Sequence, residues 1–228
     1  MYINKTTIDF NHIRRLLDQG EKVILFIRHS ERPEICTNDK EFGSHLGLTE
    51  NGIAMAEKAG AFFQGIQDVK FFSSPMERCR LTASHFAKGM GMEKPVVQDV
   101  AEIGVKGFYM QDSYKLQALM KQQGYMKFML DYLNLGSAPH LNPIGSATSA
   151  MIAWMQKVST AQLSLFVSHD IFITAFATAL GIRTYSADDW IGFLHSAVLI
   201  FNPTENLWSA HCAVPCLQTD TEPARFAQ

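Results

Sequence analysis

Val23-Ile24-Leu25-Phe26-Ile27-Arg28-His29-Ser30-Glu31-Arg32 decides how the rest of the chain reads. Residues 23–27 are continuously apolar, the pattern of a strand buried on both faces in a parallel sheet. The run stops abruptly in a polar turn that sets two guanidinium groups around one imidazole. A second apolar run, LSLFV over 163–167, ends the same way, in Ser168-His169-Asp170. A shorter candidate strand over 69–72 runs into Ser73, Ser74 and Pro75, and a fourth over 197–201 is closed by Asn202 and Pro203.

Between these runs the period changes to that of a helix. Residues 9–20 place Ile13, Leu16 and Leu17 on one face and end at Gly20, which suits a C-cap. Residues 49–66 align Ile53, Ala56, Gly60 and Phe63, 76–90 follow the 69–72 strand directly, and 171–180 follow Asp170. Strands alternating with helices predict an α/β fold, a three-layer α/β/α sandwich with a mostly parallel central sheet. Ligands of such sheets bind beyond the carboxyl ends of the strands, where His29, Ser73 and His169 would all emerge. Residues 104–159 differ, being rich in Met, Gln, Tyr and Ala and broken near 136–145. They read as two helices without a strand, a helical cap insertion within a single domain spanning 1–228. The polar stretch 218–228 reads as a tail.

The totals narrow the function. With 228 residues, 47% of them hydrophobic, the chain can bury a sizeable core. A net charge of −2 supplies no footprint for nucleic acid or an anionic membrane, so any anion site is local. No stretch is long and apolar enough to span a bilayer, and the N-terminus lacks a secretory pattern. Four cysteines without a CxxC pair make no disulfide scaffold, and a cytoplasmic location is expected. No coiled-coil pattern speaks to oligomeric state.

Paired arginines at a strand end suit a phosphoryl group, because their forked donors match its oxygens. A histidine there can act as a covalent nucleophile if one ring nitrogen is bare and the other is held. The cluster Ser73-Ser74-Pro75-Met76-Glu77-Arg78-Cys79-Arg80-Leu81-Thr82-Ala83 brings a third arginine to the same edge, and the helix beginning after His169 adds backbone donors.

RHSER, SSPMERCRLTA and SHD, in this order, resemble the three signatures of the histidine phosphatase superfamily, and Gly47-Leu48-Thr49-Glu50-Asn51-Gly52 resembles the L-T-x-x-G segment between the first two. The resemblance spans roughly 23–170. It implies a phosphoglycerate mutase-like fold and a metal-independent phosphatase that hydrolyses phosphomonoesters through a phosphohistidine on His29. Arg28, Arg32, Arg78 and His169 would hold the phosphoryl group of a small phosphorylated substrate, in a pocket also open to phosphate or sulfate, with no cofactor. Two carboxylates compete as proton donor: Asp170 by the acid phosphatase pattern and Glu102 by the mutase-like one. Arg32, three positions after the histidine, tips the reading toward Asp170. Ser30 stands where the family places glycine, and the acid phosphatase proline would fall one residue later than Pro33. A phosphomutase and a non-catalytic phospholigand-binding protein are the alternatives.

Several residues have plainer readings. Asp170 reads equally as a helix N-cap, Arg80 as a solvated helix face, and His45 as a loop residue. Met120, Tyr125, Met126, Phe128 and Met129 read as helix packing, with the lining of a substrate pocket as the alternative for some of them, and Trp154, Trp190 and Trp208 read as core or rim. Cys212, Cys216 and His211 lack the ligand count of a zinc site.

Overall fold

The computed structural model describes residues 2–3, 7–36, 39 and 43–216. The residue 218–228 tail therefore lies outside the described residues. An eight-stranded sheet forms the centre, with strands β1 (Tyr2–Ile3), β2 (Ile8–Asp9), β3 (Lys22–Arg28), β4 (Val69–Ser73), β5 (Val97–Asp99), β6 (Leu163–Ser168), β7 (Ser196–Asn202) and β8 (Leu207–Val214). Their order is β1-β8-β7-β3-β6-β4-β5, with β2 also on β8. Strands β3, β6, β4 and β5 run parallel, and β7 runs antiparallel to both β3 and β8.

Side chains alternate through the sheet, so each apolar run feeds two cores. Val23, Leu25, Ile27, Leu163, Leu165 and Val167 pack with the helices α1 (Phe10–Asp18), α2 (Glu50–Ala61) and α3 (Glu77–Gly89) on one face. Ile24, Phe26, Phe72 and Phe166 pack on the other with α4 (Ser113–Gln123), α5 (Tyr125–Leu135), α6 (Ile144–Val158) and α7 (Asp170–Ala179). This is the three-layer α/β/α arrangement expected of continuously apolar, doubly buried strands. Helix α1 starts where Asp9 Oδ1 accepts from the His12 amide at 2.7 Å, and α2 where Thr49 Oγ1 accepts from Gly52 N at 2.9 Å.

Two expectations need correction. The residues 104–159 hold three helices, not two. The first break falls at Gly124, whose φ of 85° carries the backbone into glycine's territory between α4 and α5. Helix α5 then ends at Gly136 in the left-handed conformation. Helix α6 belongs to the sandwich, because its buried face joins the sheet core and it leads into β6. The second correction is that β1, β2, β5 and β8 were not anticipated. Three of them are two or three residues long, and β8 (LWSAHCAV) alternates in burial too weakly to mark a strand.

Register positions the functional residues. Arg28 lies opposite Ser168 on β6, and Ser73 on β4 lies opposite Val167. The next residue on each of these three neighbouring strands is His29, His169 or Ser74. The ladder continues into them, since His29 N donates to Ser168 O and Ser74 N to Val167 O, both at 2.9 Å.

Candidate active site

At this edge Arg28, His29, Ser30, Ser74, Arg78 and His169 are all buried. The 29–32 turn is held from beneath by the segment around Thr49. Glu31 O accepts from Thr49 N at 3.1 Å, and its carboxylate accepts from Thr49 Oγ1 at 2.6 Å and from Asn51 Nδ2 at 3.0 Å. The approach is so close that a Cβ on Gly52 would lie 2.1 Å from Glu31 O, so the final glycine of that segment is required sterically. Ser30 completes the clamp by donating from Oγ to Gly52 O at 2.7 Å, while its amide donates to Thr82 Oγ1 at 2.9 Å. The hydroxyl that departs from the family's glycine thus has a partner.

His29 Nδ1 donates to Ser30 O at 2.8 Å, which fixes the proton on that nitrogen and leaves Nε2 with its lone pair. Burial, then the charges of Arg28 and Arg78, holds its pKa well below the ordinary value, so the ring is neutral at pH 7. His169 stands 5.6 Å away, ring centre to ring centre, in an edge-on arrangement. Its Nδ1 accepts from Arg78 at 3.3 Å, so Nε2 carries the proton and faces Ser74 Oγ at 3.0 Å. His169 is also held neutral, by burial first and then by Arg78.

The arginines are fixed by different means. Arg78 donates to Gly43 O at 2.7 Å as well as to His169. Arg28 donates to Ile191 O, lies 4.4 Å over the Phe193 ring, and pairs with Asp170 Oδ2 at 3.5 Å. Arg32 is half-buried and donates to Pro33 O at 2.7 Å, in electrostatic reach of Arg78, Asp170 and Arg28. The Nε atoms of Arg28 and Arg78 are buried with no partner. Three guanidinium groups thus face one described carboxylate, and a buried donor without an acceptor costs about 1–3 kcal/mol, more when charged. An anion bound here would relieve that cost.

Asp170 is not the N-cap that its position suggested. His169 takes that place, and Asp170 opens α7, with Oδ1 accepting from Ile171 N at 3.0 Å and Oδ2 from Trp190 Nε1 at 3.2 Å. Burial works against its charge. Arg28, the Trp190 donor, His169 and the Ile171 amide together outweigh it and hold the carboxyl below its ordinary range. Glu102 sits on the 3-10 turn Ala101–Ile103, exposed and without a side-chain hydrogen bond or ion pair among the described residues. The turn is tied to the same edge, for Val100 N donates to Ser73 O at 2.8 Å and Ser168 Oγ donates to Ile103 O at 2.5 Å.

Arg80 pairs with Asp99 on an exposed face, at 2.8 Å from Nε, and His45 is exposed near Asp39, so neither joins the site. Sequence reasoning gave no site role to Trp190, read Tyr125 first as helix packing, and passed over Phe193. Trp190 orients Asp170, and Phe193 lies against both Arg28 and the His29 ring, 5.8 Å away. Trp190 and Phe193 belong to an irregular loop, 183–195, with no period to read. Among the described residues no group of three or more His, Cys, Asp or Glu could hold a metal ion, and no helix is long and apolar enough to cross a membrane.

No curated protein matches the chain. Among solved structures, a phosphoglycerate mutase from Bacillus anthracis str. Sterne is similar at 14% identity, covering 84% of this chain and 92% of that one with a TM-score of 0.54. The mycobacterial glucosyl-3-phosphoglycerate phosphatase is similar at 14% identity, with 85% and 98% covered and a TM-score of 0.55. The structure called mycobacterial hydrolase 2 reaches 0.55 at 14% identity, with 89% and 93% covered. These likenesses establish a shared fold. The model of branch 1 of the histidine phosphatase superfamily matches residues 24–212, from the first core strand through β7 and most of β8, and the chain belongs to that superfamily.

Proposed function

We propose that the protein is a metal-independent phosphatase that hydrolyses phosphomonoesters through a phosphohistidine on His29. The observation that carries this reading is a neutral His29, with Nδ1 fixed on Ser30 O, among buried guanidinium nitrogens that lack acceptors. Arg28, Arg32, Arg78 and His169 bind the phosphoryl oxygens and spread the charge of a loose transition state. The Nε2 lone pair attacks phosphorus as the P–O ester bond breaks, and the departing oxygen takes a proton. Water then attacks the phosphohistidine, giving inorganic phosphate and restoring the neutral ring.

The proton donor in this proposal is Glu102, a reversal of the preference for Asp170. A proton donor needs an oxygen free to meet the departing one, and both Asp170 oxygens are engaged, by the Ile171 amide, Trp190 Nε1 and Arg28. Asp170 instead acts as a positioning residue, keeping Arg28 turned along the edge of the pocket. Glu102 is exposed beside that pocket, uncommitted and able to return as the base that activates water.

Phosphate release from an aryl and an alkyl phosphate, measured in EDTA, tests the assignment. His29→Ala removes turnover of both esters, by about 10⁵-fold or more. Glu102→Gln falls about 10²-fold or more on the alkyl ester and little on the aryl ester, whose leaving group needs no proton. Asp170→Asn falls on both alike. Turnover abolished by EDTA, or surviving in His29→Ala, refutes the mechanism. Selective loss of the alkyl ester in Asp170→Asn returns the acid role to that residue.

A further inference from the structure

The phenol of Tyr125 is the feature the mechanism leaves unused. It stands at the first position of α5, in the segment between β5 and α6 that contributes nothing to the sheet. Its ring packs edge-on against Trp190, centre to centre 6.3 Å, and Trp190 in turn donates to Asp170. The hydroxyl is buried and approaches the Asp170 carboxylate, yet completes no hydrogen bond of ordinary geometry with it. It lies in the field of Asp170, Arg28 and Arg32. Burial and the Asp170 carboxylate push its pKa up, so it remains a protonated donor and acceptor.

In-line displacement by His29 puts the leaving group on the side of phosphorus opposite the His29 ring. Resting on the phosphatase reading, we infer that Tyr125 determines specificity by hydrogen-bonding a hydroxyl of the leaving group, and that the substrate class is the monophosphate ester of a hydroxylated alcohol. A buried phenol without a partner penalises any ester that lacks the hydroxyl, because binding such an ester leaves the phenol unpaired.

The test compares glycerol 1-phosphate with propyl phosphate, which differ by the hydroxyls alone, in wild type and Tyr125→Phe. Wild type favours the glycerol ester by about tenfold or more in kcat/KM, and in Tyr125→Phe that ratio falls toward one. An unchanged ratio in the variant, no preference in wild type, or an equal fall on both esters overturns the assignment, the last by making Tyr125 a structural residue. Should wild type release no phosphate from any ester, the phosphatase reading fails separately. Calorimetric affinities of the same esters then carry the comparison, with the same ratio expected to collapse in Tyr125→Phe. Thermal unfolding of the variant checks that it is folded.

Discussion

The floor of the site and its roof are built on different physics. The floor is the carboxyl edge of β3, β6 and β4, where register alone brings His29, His169 and Ser74 within one residue of each other. Its groups are buried, hydrogen-bonded to one another, and short of acceptors. The roof is the stretch from Glu102 to Asn142, joined internally by Asn142 Nδ2 to Phe108 O and Tyr132 Oη to Asn142 O, both at 2.8 Å. It rests on α7 through Tyr109, whose ring stacks on Phe172 at 5.9 Å. A floor set by backbone ladders can keep one phosphoryl chemistry while a roof set by side-chain packing changes what that chemistry acts on.

The sharpest way to break this division is to remove a floor charge. Arg78→Met keeps most of the buried volume but deletes the donors to Gly43 O and His169 Nδ1 and one orphaned Nε. Turnover of aryl and alkyl phosphates should fall together by about 10²–10³-fold, as for loss of one preorganised charged donor. A fall confined to one ester would place Arg78 among groups that read the leaving group, and the division would be wrong.

Acid should unfold the floor first. His29 and His169 are held neutral chiefly by burial, and His195, whose carbonyl accepts the Arg28 amide at 2.9 Å, is lowered to about 4 by burial, Arg183 and Arg28. Such a depressed base binds more protons unfolded than folded between its folded pKa and about 6.5. Stability is therefore full above that window and is lost as pH falls through it. His195 alone should contribute a loss of about 2–3 kcal/mol between pH 6.5 and 4. Urea unfolding across this range measures the slope, and His195→Gln should flatten it. A pH-independent stability would mean that these imidazoles are not buried as described.

Trp190→Phe probes where floor and roof meet, since Trp190 touches Tyr125 by its ring edge and Asp170 by its Nε1. The substitution keeps an aromatic ring and removes the donor, worth about 1–3 kcal/mol on a charged acceptor. Asp170 then holds Arg28 less firmly. Turnover should fall about three- to tenfold on both esters, and the acid limb of kcat should move to higher pH as Asp170 loses a partner that favours its charge. An unmoved pH profile would assign Trp190 to packing alone.

The floor was largely legible in the sequence and the roof was not, for the same reason. Apolar runs that end in RHSER, SSP and SHD state which residues leave the sheet at its carboxyl edge, because strand register is a property of the runs themselves. The roof helices carry Met and aromatic residues at mixed spacing, so nothing marked the break at Gly124 or told Tyr125 from its packing neighbours. Trp190 acts from a loop, where contact is decided by tertiary packing and leaves no period. Asp170 was legible as a residue of this edge, but not its contacts, since the Arg28 and Trp190 partners are supplied by folding.

Ser30→Gly is the mildest test of the floor. The substitution restores the residue usual to the family and deletes the Oγ bond to Gly52 O, leaving the amide bond to Thr82 Oγ1 intact. No left-handed backbone is recorded at residue 30, so glycine relieves no strain there and adds freedom to the unfolded chain. Losing a buried neutral hydrogen bond should cost about 1 kcal/mol in urea unfolding. Turnover should stay within about threefold, because Glu31, Thr49 and Asn51 still clamp the turn. A large gain in turnover would mean that the serine hydroxyl restrains His29, and the floor would then owe its chemistry to the local loop as much as to strand register.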